Sequence, residues 1–451
     1  MNMEQLQTLV RPDEGLIARR IFVDQQIFEQ EIRRVFSRAW LFVGHEALVP
    51  KPDDYFVSRM GTDSVILTRD RQGQLHVFLN TCTHRGMTLC RYDQGNSRTF
   101  SCPYHGWSFS TDGKLVDRPG ALLGVPGFDT HYHGELQKKD WGLKRVAKVE
   151  NYKGTVWATW DEGAPPFLEY VGDMKHYLDY ALDHRDGSPG GSDVIAGVQK
   201  WRVHANWKLA SENFIGDLYH DISHRSVDLV GIGPGGGKGR REPTPNRMTV
   251  GFPSLGHGIV GRMPYYEEPP YKPAYPVGSE LELYYRALHE KRVASLGDSM
   301  RVQHSVGTIF PNMSFHGKQP RTIAVFHPIG PTQMEMWRIY LVDKDAPEAV
   351  KEAARSYYLH YSGPGGMTES DDMENWTGAT DTSMGEVAST MYFNYQMGLG
   401  HAKPVPGLKG AVHCGEFTEE NGRIFYRRWK QFMEGQTWSE LMAQAREEHR
   451  V

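Results

Sequence analysis

Four residues in two short pairs carry the strongest chemical signal in the chain. Cys82-Thr83-His84 is followed, after seventeen intervening residues, by Cys102-Pro103-Tyr104-His105. Two thiols and two imidazoles can hold a [2Fe-2S] cluster in which histidines replace cysteines on one iron. Zinc also accepts two Cys and two His, so a structural zinc site is the competing reading. Zinc fingers usually group Cys with Cys and His with His, whereas each loop here supplies one of each. Gly86 and Gly106 follow the pairs and permit tight backbone approach to bridging sulfides, and Pro103 fixes a local φ. Neutral imidazoles in place of thiolates raise the cluster potential to roughly −150 to +300 mV. Tyr104 and Trp107 are expected to serve packing.

A second set lies in Asn206-Trp207-Lys208 through Ser223-His224. The run reads as a helix of good formers after Trp207, loosened at Gly216. His220 and His224 would then project from one face, a turn apart, as two ligands of one divalent metal. From spacing alone, a bland polar face is the plainer reading. Far downstream, Glu369-Ser370-Asp371-Asp372-Met373-Glu374 offers a carboxylate that could complete a 2-His-1-carboxylate triad on non-haem Fe(II), with open positions for dioxygen. An acidic first helical turn is the plainer reading of that segment. Asp217, three residues before His220, would share its helix face and accept the ring N–H of that ligand.

Taken together, these motifs resemble the large (alpha) subunit of Rieske non-haem iron aromatic-ring-hydroxylating dioxygenases, of the naphthalene and biphenyl dioxygenase type. The resemblance runs over nearly the whole chain. It includes Arg38-Ala39-Trp40, the two Cys/His loops, Glu212-Asn213-Phe214, Gly216-Asp217, Phe310-Pro311-Asn312, Asp371-Asp372 and Asn394-Tyr395-Gln396-Met397-Gly398. It implies a Rieske [2Fe-2S] cluster on Cys82, His84, Cys102 and His105, and mononuclear Fe(2+) on His220, His224 and Asp372, with Asp372 rather than Asp371 as the carboxylate ligand. Asp371 and Glu374 are expected to support the ligands or the helix end. Asn213 could face the iron pocket, and Phe214, Phe310, Asn312 and Met367 are candidate pocket walls, with ordinary core the competing reading of each. Glu212 reads as structural. The resemblance also implies that Asp217 meets a Rieske histidine, His105, of a neighbouring subunit. One departure stands out: the family usually places four or five residues between the iron histidines, and this chain has three.

The implied activity is that of a terminal oxygenase component. It would cis-dihydroxylate an aromatic or polycyclic aromatic hydrocarbon with O2 and electrons from NAD(P)H. A Rieske monooxygenase, or an oxygenase of an aromatic carboxylate, is the alternative within enzymes; a zinc-binding carrier is the alternative outside them. No Rossmann or flavin fingerprint occurs, so a separate NAD(P)H reductase, often through a ferredoxin, must supply electrons. A small (beta) subunit and an alpha3 or alpha3beta3 assembly are implied as partners.

The elements that must position these residues divide into three stretches. Across 451 residues, the expectation is an N-terminal helical segment at 1–39, a small all-β Rieske domain at 40–160 and a catalytic domain at 161–451. The fold class is α+β, with helices on one face of a large antiparallel, helix-grip-like sheet. Residues 1–15 read as a poorly ordered arm, and Asp24 to Ser37 as a helix. Ser64–Thr68 and Leu75–Leu79 flank a turn at Asp70–Gln74 and read as a hairpin. Strands are expected at Val306–Met313, Arg321–Phe326, Met334–Val342 and Arg423–Tyr426, and helices at Pro347–Tyr361 and Trp438–His449. The Gly-rich segment 230–247 reads as a mobile loop over the substrate entrance or, equally, as an uninvolved surface loop. A net charge of −4 gives no electrostatic case for nucleic acid or membrane binding. No eighteen-residue apolar run and no signal-peptide pattern occur, which places the chain in the cytoplasm. Cys90 and Cys414 are then expected to be free thiols.

Overall fold

Four neighbouring strands of a nine-stranded antiparallel sheet form within the stretch expected to alternate like strands, at 304–309, 313–316, 322–330 and 333–343. In the computed structural model, residues 3–116, 128–231, 247–262, 270–296, 304–317 and 321–449 are described. The chain divides into two compact units: Met1–Phe36 with Pro165–Val451, and Ser37–Ala164. The first 36 residues therefore belong with the long C-terminal part, and the second unit is an insertion between them.

The large sheet is built from β1 (Ser192–Val203), β2 (Arg247–Phe252), β3 (His257–Arg262), β4 (His304–Ile309), β5 (Met313–His316), β6 (Thr322–Gly330), β7 (Gln333–Asp343), β8 (Lys403–Pro404) and β9 (Val412–His413). Its order is β1-β7-β6-β5-β4-β3-β2-β9-β8. The single strand expected over Val306–Met313 is a hairpin: β4 and β5 turn at Phe310-Pro311-Asn312, and Ile309 pairs with Met313. Proline lacks the N–H a continuous ladder needs, which is why the run breaks there. Residues 322–328 of β6 are buried without interruption, so both faces of the sheet centre are covered.

Three helices of this unit carry or brace the candidate iron ligands: α1 (Trp207–Gly216), α2 (Met367–Ser383) and α3 (Glu420–Met433). Helix α1 packs on β4 and β3, and α3 packs on β2, β3 and α1. The strand expected at Arg423–Tyr426 lies inside α3. A short apolar run cannot be told from a buried helix by periodicity, and Ile424, Phe425 and Tyr426 are all fully buried. Further helices of this unit include Phe167–Val171, Lys175–Leu182, Glu280–Leu296, Glu348–Tyr361 and Trp438–His449.

Residues 3–15 are not an unordered arm. Met3–Leu9 is helical, and Val10–Arg11 joins Leu16–Ala18 and Tyr392–Asn394 in a small sheet. Val10 and Ile17 are fully buried, which offsets the entropy of ordering a terminus. Asp24 then caps the helix Gln25–Glu31 by accepting from the N–H groups of Gln26 and Ile27. Glu31 at its end accepts from Lys208 Nζ at 2.5 Å, Trp207 Nε1 at 3.0 Å and Trp429 Nε1 at 2.8 Å. Lys208 and Glu31 are buried, so this network pins the N-terminal segment to α1 and α3.

In the inserted unit, Asp54–Met60, Asp63–Arg69, Leu75–Leu79 and Gln94–Asn96 form one sheet, and Thr99–Ser101 pairs with Ser108–Ser110. The hairpin expected around Asp70–Gln74 is present. The Asp70 carboxylate accepts from the Gln72 and Gln74 N–H groups and faces His76 Nε2 at 2.7 Å. The Gly-rich segment falls almost wholly at 232–246, outside the described residues.

Candidate metal centres and family

In the inserted unit the two Cys/His loops have the same backbone design. Gly86 N–H closes onto Cys82 O at 2.9 Å, and Gly106 N–H onto Cys102 O at 3.0 Å. Both glycines lie at positive φ, 73° and 77°, a conformation a side chain would strain. Cys82 and Cys102 are buried, and burial raises the Cys82 thiol above its ordinary range, with the nearby Cys102 adding to the effect. His84 and His105 approach with ring centroids 4.7 Å apart. The Nδ1 atoms of both are buried with no hydrogen-bond partner. Two orphaned ring nitrogens and two adjoining buried thiols are a donor set that makes sense only around a bound group.

Trp107 is buried and stacks on His84 at 4.9 Å and 9°, as expected of a packing residue. Tyr104 is not one: it is 61% exposed and lies against the His105 ring at 3.7 Å.

In the larger unit, α1 stops at Gly216, earlier than the expected helix through His224. A 3-10 turn, Tyr219–Ile222, carries His220, and His224 precedes a short helix, Arg225–Leu229. Asn421 of α3 supplies the reason. Its Nδ2 donates to Ile215 O at 2.7 Å and to Val250 O at 3.0 Å, taking up a carbonyl at the helix end. A Cβ on Gly216 would lie 2.7 Å from Thr249 Cγ2, so only glycine lets α1 end against β2.

The tightened turn brings the two histidines together despite their three-residue spacing. Their rings lie 5.1 Å apart, and each Nε2 stands 3.4 Å from the same atom, Asp372 Oδ1. The other ring nitrogens are engaged elsewhere. His220 Nδ1 donates to the main-chain carbonyl of Asp217 at 2.5 Å, and His224 Nδ1 to Asp371 Oδ2 at 3.0 Å. Both Nε2 lone pairs are thereby directed at the Asp372 carboxylate. Asp372 Oδ1 is buried and makes no hydrogen bond. Among the described residues, His220, His224 and Asp372 are the one group of three such donors whose atoms lie within 4.8 Å of one another. Burial opposes ionisation of Asp372, but the two imidazoles outweigh it and hold the carboxyl at about 2. Burial also opposes His220 protonation, yet Asp217 and Asp372 raise its pKa well above the ordinary value. An anionic oxygen facing two imidazoles at non-bonded distance is the charge pattern a cation completes.

Asp217 does not act as the shared-face helix partner expected. It caps α1 with non-helical backbone (φ −79°, ψ 87°), so its carbonyl, not its carboxylate, takes the His220 N–H. The carboxylate stays 3.5 Å from Nδ1, with Oδ1 buried and without a hydrogen-bond partner. Asn213 is buried, with Nδ2 likewise unsatisfied.

Residues 171–435 match the family described as "Ring hydroxylating alpha subunit (catalytic domain)", and residues 39–125 match the "Rieske [2Fe-2S] domain". The chain belongs to the ring-hydroxylating alpha subunits. It is 37% identical to the biphenyl 2,3-dioxygenase subunit alpha of Rhodococcus jostii (strain RHA1), over 96% of this chain and 92% of that one. It is 34% identical to a benzene 1,2-dioxygenase subunit alpha of Pseudomonas putida, over 98% and 96%. Its fold matches a naphthalene 1,2-dioxygenase solved with indole in the active site, at a TM-score of 0.85 and 29% identity over 99% and 98% of the two chains. This alpha subunit is therefore an α+β Rieske non-haem iron oxygenase with a [2Fe-2S] domain and an iron-binding catalytic domain. Among its described residues, no helix is long and apolar enough to cross a membrane.

Several side chains bracing the candidate iron site are tied in by contacts that no local spacing predicts. Asn375 Nδ2, one turn after Asp372, donates to Ser223 Oγ beside His224 at 3.0 Å. Glu369, expected only as part of an acidic first turn, is buried against Arg338. Glu212 accepts from Tyr395 Oη at 2.6 Å, and burial pushes its carboxyl up to about 8. Phe214 stacks on Phe326 at 5.6 Å and meets Trp376 at 6.0 Å. Two of the candidate pocket walls follow the competing reading, ordinary core. Phe310 is fully buried between Phe425 and Phe432, and the Asn312 amide donates to Phe326 O. Met367, 37% exposed, opens α2.

Proposed function

We propose that this alpha subunit cis-dihydroxylates an aromatic or polycyclic aromatic hydrocarbon. His220, His224 and Asp372 would hold the mononuclear iron, and Cys82, His84, Cys102 and His105 the cluster. The observation that carries the iron assignment is the convergence of two imidazole Nε2 atoms on one buried, unsatisfied carboxylate oxygen. When bound, the cluster supplies electrons one at a time and the ferrous ion supplies open positions for dioxygen.

The chain's own residues do the rest. The Asp217 carbonyl and the Asp371 carboxylate fix the two imidazoles in the tautomer that leaves Nε2 free to ligate. Asn213 brings a buried amide with capacity to donate. The free carboxylate of Asp217 is suited to accept a ring N–H from His105 of a neighbouring subunit, giving the path His105 to Asp217 to His220. Within its own chain its backbone carbonyl serves His220, which leaves that carboxylate available. Arg338, the buried guanidinium over Phe214, is neutralised by Glu369, so its charge is not available to a carboxylate substrate.

The overall reaction consumes one O2, one NAD(P)H and one proton per diol. A separate reductase and ferredoxin supply the electrons, and a small beta subunit in an alpha3beta3 assembly, or alpha3 alone, completes the oxygenase. The biphenyl, benzene and naphthalene activities in the relatives' names support this substrate class. The test is turnover of a panel of aromatics under 18O2 with a surrogate electron-transfer chain. Cis-diols carrying two labelled oxygens are expected; singly labelled phenols would assign a monooxygenase. For the bridge, Asp217→Asn should keep both metals and normal cluster reduction but slow reoxidation on adding substrate and O2. Wild-type reoxidation kinetics would remove Asp217 from the path.

A further inference from the structure

One buried side chain touches both elements that lead to the iron ligands. Arg338 projects from β7 with 2% of its side chain exposed, and Glu369, its partner on α2, with 1%. The pairing is a fork: Nε to Oε2 at 3.1 Å, and Nη2 to Oε1 and Oε2 at 2.7 Å each. Glu369 also accepts from Gly363 N–H at 3.0 Å, and Arg338 Nη1 donates to Thr322 Oγ1 at 3.0 Å. The opposite contact of the guanidinium is the face of Phe214, 5.3 Å from Cζ to the ring centroid.

Position gives the fork its meaning. Glu369 stands three residues before Asp372 on α2, hence on the same helix face. Phe214 stands two residues before α1 ends at Gly216, where the segment to Asp217 and His220 begins. We propose that Arg338 and Glu369 are positioning residues for the iron site. They set how far the Asp372 carboxylate stands from the two imidazoles, and so how tightly the site holds its metal. The proposal rests on the assignment of His220, His224 and Asp372 as ligands.

Stability alone is a poor account of the pair. Buried ion pairs are often no more stabilising than apolar residues of similar volume, because desolvation offsets the attraction. What a planar guanidinium adds is direction: a bidentate fork fixes both the distance and the plane of the carboxylate. Here that fixes the rotation of α2 about its own axis. Asn375, three residues beyond Asp372, ties the same helix to Ser223, so the ligand is held from both sides. The Phe214 contact holds the α1 end against the same guanidinium. A small turn of α2 would change both 3.4 Å separations from Asp372 Oδ1 together.

The test uses the full chain with its cluster, stripped of mononuclear iron by a chelator and dialysed anaerobically against cobaltous ion. Counting cobalt keeps cluster iron out of the measurement. Arg338→Lys keeps the charge but cannot fork; the double variant Arg338→Met with Glu369→Gln removes both charges. Each should bind cobalt about tenfold more weakly or worse, with unchanged cluster absorption and far-ultraviolet dichroism. Wild-type cobalt affinity in either folded variant overturns the proposal. If the double variant does not fold, Arg338→Lys decides; if neither folds, the pair serves folding and the proposal also fails. His220→Ala is the control for the ligand assignment: it should abolish cobalt binding, and binding retained there would defeat the assignment itself rather than the clamp.

Discussion

The His224 ring shows how much of a candidate ligand's orientation is set by residues outside the His/His/Asp group. Its Nδ1 donates to Asp371, 147 positions away in sequence, at 3.0 Å. Asp371→Ala should leave the fold intact and weaken mononuclear metal binding about tenfold, read as cobalt or iron retained after dialysis. His224→Ala should abolish mononuclear metal and leave the cluster spectrum unchanged. Iron content and turnover near wild type would show the second histidine to be misassigned. Cys102→Ser should remove the cluster and its colour, while the donors of the other unit keep their metal. The Cys/His loop pairs could be proposed from sequence because few chemistries need those types at those spacings, whereas the His220/His224 pair needed the family resemblance. Arg338, Glu369 and Asn421 could not, since a buried ion pair and a buried amide have no local signature.

At the scale of elements, α1 was legible as a helix but its end was not. Sequence periodicity carried it through His224, whereas Asn421 and the close approach at Gly216 stop it eight residues earlier. The expected geometry, two histidines on one helical face, was therefore wrong in mechanism although the rings do meet. Asn421→Leu removes both donated hydrogen bonds and leaves two carbonyls without them. It should destabilise the protein by about 1–3 kcal/mol and lower mononuclear metal content, measured by urea unfolding and metal analysis. Unchanged stability would show that the Ile215 carbonyl has another partner. The misread strand at Arg423–Tyr426 and the missed order of residues 3–15 share a cause. Both are set by what buries them, Tyr392–Asn394 for the N-terminal strands and the sheet for α3, and neither partner is local.

For the molecule as a whole, acid sensitivity should concentrate at one buried imidazole. His257 Nδ1 accepts from Phe310 N–H and Nε2–H donates to Tyr170 O, at 3.0 and 2.8 Å. Burial, opposed in part by the bond to Tyr170 and reinforced by the Arg428 charge, holds its pKa at about 3. The unfolded chain takes up a proton near pH 6.5 that the folded chain refuses. The stability is thus fully present above that pH and lost as pH falls toward 3, at about 1.4 kcal/mol per unit. His257→Gln should shrink the stability difference between pH 7 and pH 5 by about 2 kcal/mol, read from urea midpoints. An unchanged difference would mean that the imidazole charges in the folded state. Glu31→Ala should cost about 3–5 kcal/mol, because it leaves Lys208 buried without its counter-charge.

The placement of Glu31 also sets a schedule. Its hydrogen bond to Trp429 spans 398 positions, with the whole inserted unit lying between. At roughly 5–20 residues per second on the ribosome, the helix Gln25–Glu31 emerges tens of seconds before α3 exists to receive it. The inserted unit, contiguous in the chain, has every one of its residues available far sooner. Cluster loading can therefore precede closure of the catalytic unit during synthesis. In that interval Phe22, Ile27 and Phe28 have no core to enter. Those side chains stay in contact with solvent until the residues that bury them have been made.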